Sequence, residues 1–154
     1  MTGLWLLVGA SVTASSFFWQ PPSPGQILAE RLGAPYEIHA HAGRKLHEVM
    51  PTDAEIRAAA MVVSVDGFYW YSDRKDDCEV AHATAERLFA VRAGRPMILA
   101  TVPGPHCVNA YLRERCVGKC ILVEPEPFDG LHPDRGYMDR AAQWIMDAIN
   151  GGGK

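Results

Sequence analysis

Three groups of residues in this chain have types and spacings that chemistry uses. The first is a hydroxyl cluster, Ser11, Thr13, Ser15 and Ser16, which follows the apolar run Leu4–Val8 and Gly9. A serine on the turn between a strand and a helix is exposed and lies near backbone N–H groups that can stabilise an oxyanion. The same cluster could cradle a phosphate, or be only a polar turn and a helix cap. The second group is Asp129 and His132 in "FDGLHPDRGY". A carboxylate and an imidazole three apart can share one turn. The carboxylate then accepts the hydrogen bond from the ring nitrogen turned away from the substrate, which fixes the tautomer and stabilises the imidazolium. The plain structural alternative is that Asp129 caps a turn and His132 sits on the surface. With Ser11 as nucleophile and His132 as base, the order is Ser…Asp…His. The third group is the aromatic run Phe68, Tyr69, Trp70 and Tyr71. It could wall an apolar acyl pocket or form a platform for a sugar ring, or pack in part under the sheet edge.

Other candidates carry less. His39 and His41 share a face of one predicted strand, and without a clear third ligand they fit half-buried, hydrogen-bonded roles better than a metal. Asp66 ends another predicted strand, where it could support a neighbouring group or cap a helix. Cys78, Cys107, Cys116 and Cys120 lack the spacing of a zinc site. Free, partly buried thiols are expected, with a Cys116–Cys120 or Cys107–Cys116 disulfide as the alternative.

The elements that must position these residues alternate. "LWLLVGA" is a short apolar run ending in glycine and reads as a buried strand. "SPGQILAERLG" carries an N-cap serine, proline at the first helical position and a terminal glycine. "YEIHAHA" reads as a strand, and "TDAEIRAAA" as a helix opened by a Thr52/Glu55 capping box. Strand "MVVSV", helix "DDCEVAHATAERLFAVRAG", strand "PMILATV", helix "CVNAYLRERC", strand "KCILVEP" and the amphipathic helix "DRGYMDRAAQWIMDAI" complete the chain. Five strands alternating with helices predict a three-layer α/β/α sandwich with a flavodoxin-like parallel sheet, order 2-1-3-4-5. In such a sheet ligands bind outside the carboxyl ends of the strands, beside strand 1. All three groups fall in loops that leave those ends.

Length and composition bound the rest. The chain has 154 residues, 48% of them hydrophobic and 21% charged, with net charge −3. One domain over residues 1–150 is expected, with 151–154 as a disordered tail. A domain of this size needs no metal or disulfide for stability. Interspersed charges give no footprint for nucleic acid or an anionic membrane. The apolar run near the start has no preceding Lys or Arg and is too short for a signal peptide or a spanning helix, so a cytoplasmic chain is expected. Oligomeric state is open.

The loops together resemble the SGNH, or GDSL-type, serine hydrolases across nearly the whole length. "GAS", Gly9–Ser11, stands where that family has Gly-Asp-Ser, and Thr13 is a common companion. "HAG" matches the family's second block at Gly43, and "DGLHPDRGY" matches its last, Asp-x-x-His-Pro followed by Gly-Tyr. The resemblance implies an ester hydrolase with nucleophile Ser11, base His132 and orienter Asp129. It further implies oxyanion donors from the Ser11 and Gly43 N–H groups, a small-molecule ester substrate, and no metal or organic cofactor. Two positions depart from it. Ala10 replaces the aspartate of Gly-Asp-Ser. The oxyanion asparagine of the third block is replaced by Tyr69, or by Phe68 under a one-residue shift; the Tyr69 hydroxyl or the Trp70 indole N–H is the candidate substitute donor. Phe68, Tyr69, Trp70 and His41 are the expected pocket residues. Two other readings stand beside this one. One is an SGNH-fold binding protein that is weak or inactive as a catalyst. The other is a flavodoxin-like FMN module whose phosphate sits on "SVTASS".

Overall fold

The structure is a computed structural model that describes residues 3–14, 22–126 and 134–151. Its centre is a parallel sheet of β1 (Trp5–Gly9), β2 (Tyr36–Ala40), β3 (Met61–Ser64), β4 (Met97–Ala100) and β5 (Ile121–Val123), in the order β2-β1-β3-β4-β5. The expected three-layer, flavodoxin-like architecture is what forms. Registers run Trp5↔Tyr36 to Gly9↔Ala40 on one side of β1 and Trp5↔Met61 to Leu7↔Val63 on the other.

Side-chain alternation divides the core in two. Leu6 and Val8 of β1 face one layer, built by α3 (Leu46–Val49), α4 (Asp53–Ala58), α5 (Lys75–Arg92) and α6 (Cys107–Arg115). Trp5 and Leu7 face the other, built by α2 (Pro24–Arg31) and α7 (Arg135–Gly151). β1, β3 and β4 are buried along their whole length, because helices cover both faces. The two edge strands are not. β2 leaves Ile38 38% exposed, and β5 is only half-buried until Val123. Burial along the whole length is therefore confined to the three inner strands, although β5 is also a continuous apolar run.

Local signals set the helix ends as expected. Ser23 Oγ accepts the Gln26 N–H at 3.2 Å, Thr52 and Glu55 form the reciprocal box, and Gly33 leaves α2 at φ 66°. Two short helices were not legible in the sequence: α1 (Ser11–Ala14), inside the hydroxyl cluster, and α3, after the Gly43 loop. Each is a single turn held by tertiary contacts, too short to carry a periodic pattern. α7 continues to Gly151, one residue past the expected end of the domain.

The cysteines are not free thiols. Cys78 pairs with Cys107 and Cys116 with Cys120. The second pairing is one of the two alternatives considered. The first joins the start of α5 to the start of α6 across a separation of 29 residues. Only the sheet order brings those two helix starts together.

Candidate active site

The carboxyl end of β1 is a corner clamped by one side chain. Asp66, two residues past β3, is 6% exposed and turns its carboxylate across to the turn that follows β1. Its oxygens accept from Ala10 N–H at 3.0 Å, Val12 N–H at 2.8 Å, the Thr13 hydroxyl at 2.6 Å and Thr13 N–H at 3.4 Å. The first N–H groups of a helix have no partner within it, and a carboxylate supplies one with favourable charge. Burial raises the Asp66 carboxyl above its ordinary value, against a smaller downward pull from the Thr13 hydroxyl and the three N–H groups. Gly9 makes the approach possible: a Cβ there would lie 2.1 Å from Asp66 Oδ1 and 2.6 Å from Thr13 Oγ1. Asp66 thus takes the supporting role that its place in the sequence allowed.

The backbone of Ser11 lies in α1, between the two clamped residues Ala10 and Val12. Its side chain is outside what the structure describes. Gly43 sits in the next loop with φ 74°, a conformation that suits glycine. That loop runs beside the Ser11 turn, since His41 N–H donates to Gly9 O at 3.3 Å. His41 is exposed, and its Nδ1 donates to Ala42 O at 2.9 Å. Asp129 and His132 lie outside the described residues. The chain on either side of them is described: the Tyr137 hydroxyl near the start of α7 donates to Glu126 O, just past β5.

The aromatic run splits by depth. Phe68 is 1% exposed and packs in the core with Leu46 and Tyr71, so it forms no wall of a surface pocket. Trp70 is exposed, edge-on to Tyr69 at a centroid distance of 6.4 Å. Tyr69 is half-buried, and its N–H donates to Asp66 O at 3.1 Å. Burial first, and then the Asp66 carboxylate, push its phenol up.

Beneath Tyr69 lies a cavity of about 40 Å³, lined among others by Val12, Val65, Val123, Trp144 and Ile145. Asp66 and Tyr137 also border it. Burial, reinforced by Glu126, pushes the Tyr137 phenol up to about 12. Pro103 forms part of the wall, in a loop locked by Asn109, a residue the sequence analysis missed. Asn109 accepts from Val102 N–H and donates to Val102 O and Gly104 O, each at 2.8 Å. The only signal for it was an amide at a buried helical position.

Two clusters of metal-ligating side chains occur among the described residues. In one, Asp73–His106–Cys107, the cysteine is in a disulfide and both His106 nitrogens are engaged, by Tyr71 O and Val108 N–H. The other does not include His41: it sets His39 between two carboxylates, with ligand atoms of Glu37, His39 and Glu55 within 4.8 Å of one another. It sits at the outer edge of β2, and Glu55 is already committed to Thr52.

No family model and no curated protein matches the sequence. Among solved structures, the fold is similar to that of a family two carbohydrate esterase from Cellvibrio japonicus, with TM-score 0.66 and 12% identity over 96% of this chain. The chain spans 61% of the length of that protein. The likeness places this protein among α/β sandwiches with a flavodoxin-like parallel sheet, and at that identity it is a likeness of fold.

Proposed function

We propose that the protein is a serine ester hydrolase of the SGNH type. The observation that carries this reading is the corner at the carboxyl end of β1. Asp66 and Gly9 hold the Ser11 turn in place there, beside the Gly43 loop and an apolar cavity. The segment containing Asp129 and His132 leaves Glu126 and rejoins the fold at α7, next to that cavity through Tyr137. The fold likeness to an esterase supports the same reading. In this mechanism Ser11 attacks the acyl carbon, His132 takes its proton and later activates water, and Asp129 orients His132. The N–H groups of Ser11 and Gly43 receive the oxyanion, with the Tyr69 phenol in place of the family's asparagine.

The phosphate-cradle alternative fits poorly. The donors such a cradle would use at Ala10, Val12 and Thr13 already serve Asp66, whose charge would repel a phosphate.

The test is release of p-nitrophenol from C2 to C8 p-nitrophenyl esters by the wild type and by Ser11→Ala. Turnover is expected in the first, falling below about pH 6 as His132 protonates, and is expected to vanish in the second. Equal turnover in both would refute the mechanism. Turnover in neither would leave an SGNH-fold binding protein as the reading.

A further inference from the structure

We propose that the cavity beneath Tyr69 holds the aliphatic chain of the acyl group and favours short chains, C4 over C8. This rests on the ester-hydrolase reading and adds the acyl class to it. The cavity measures about 40 Å³. That is well below the roughly 150 Å³ of an apolar cavity that takes up a benzene ring, so only a short aliphatic chain fits. The lining is aliphatic or aromatic apart from Asp66 and the tyrosine hydroxyls. The Asp66 carboxylate is taken up by the Ser11 turn, and the Tyr137 hydroxyl by Glu126 O. A polar chain placed there would lose its hydrogen bonds to water and find these groups already engaged, whereas methylenes lose nothing. Val12 is both a wall of the cavity and the residue after Ser11. The cavity therefore borders the Ser11 turn, where a short acyl chain such as butyryl has an apolar space beside it.

Ala141 and Trp144, three apart on α7, are the wall residues to change. Ala141→Leu adds three carbons to that wall and narrows the cavity. Trp144→Ala enlarges it. In the wild type, kcat/KM should rise about fourfold per methylene from C2 to C4 esters, the usual yield of burying a CH2 group, and fall by C8. That is about a sixteenfold preference for C4 over C2. Ala141→Leu should bring the ratio close to one, and Trp144→Ala should move the optimum toward C8. If Ala141→Leu only raises Tm and leaves the ratio unchanged, the cavity is a packing void and the proposal fails.

A second readout does not depend on catalysis. Saturable addition of 1-butanol should shift the fluorescence of Trp144, taken as the difference between wild type and Trp144→Phe, and Ala141→Leu should abolish the shift. A butanol shift in a protein that hydrolyses no ester would keep the cavity as a short-chain site and overturn the ester-hydrolase reading. Hydrolysis with an unchanged ratio would do the reverse. Neither signal would overturn both.

Discussion

Asp66 is the side chain on which the candidate site depends, and Asp66→Asn tests that directly. The carboxylate offers two acceptor oxygens to four donors. An amide offers one. If the amide oxygen keeps Ala10 N–H and Thr13 Oγ, its NH2 group faces the N–H groups of Val12 and Thr13, donor against donor. Each buried donor left unpaired costs about 1–3 kcal/mol. Relief from burying a charge offsets part of this, so the expected loss is about 3 kcal/mol. For a domain of this size, that corresponds to a fall in Tm of about 6–12 °C. Thermal and urea unfolding should both show it, with an unchanged m-value. Thr13→Val removes one of the same bonds, so the double variant should be less destabilised than the sum of the singles by about 1 kcal/mol or more. A fall in Tm of less than about 2 °C in Asp66→Asn, or strict additivity with Thr13→Val, would refute the clamp.

Three further outcomes are expected. Replacing Cys78 and Cys107 together by serine frees a loop of 29 residues, which should cost about 3–4 kcal/mol on the chain-entropy account; thiol titration of the unfolded, unreduced wild type should find no free thiol among these four cysteines. Arg92, fully buried, donates to Ile56 O at 2.7 Å, Ala59 O at 2.8 Å and Pro96 O at 2.5 Å, so Arg92→Met should cost about 3 kcal/mol in urea unfolding and Arg92→Lys less, the ammonium reaching fewer of the three carbonyls. Arg115 first, and then Tyr111, hold Glu86 down at about 2 from an ordinary 4.5. A depressed carboxyl contributes stability above its unfolded value and loses it as pH falls through the folded one, so Glu86→Gln should flatten the fall in stability between pH 4.5 and 2, by no more than about 1 kcal/mol because the pair is exposed to solvent.

Much of the architecture was legible because its signals are local. A run such as Leu4–Val8, a cap such as Ser23 or Thr52, and a stop such as Gly33 act over one to four residues, the range within which neighbours along the chain touch in any fold. Five such strands alternating with helices leave few right-handed topologies, and β2-β1-β3-β4-β5 is one of them. The same reasoning put the hydroxyl cluster and the aromatic run at the ligand end of the sheet.

What only the tertiary structure decided are pairings between residues far apart in the chain. Asp66 reaches Ala10 across 56 residues, and Cys78 reaches Cys107 across 29. Neither partner bears a mark that names the other. Phe68 and Tyr69 are adjacent aromatics, yet one fills the core and the other lines the cavity, because the turn after β3 sends consecutive side chains to different depths. Arg92, a cation near the end of a helix, is buried where three carbonyls converge, and nothing in its neighbours along the chain marks that. Sequence determines which segments can be strands and helices, since that follows from local sterics and periodicity. Which side chains then meet is decided by sheet order and by the depth of each loop, and these exist only once the layers have packed.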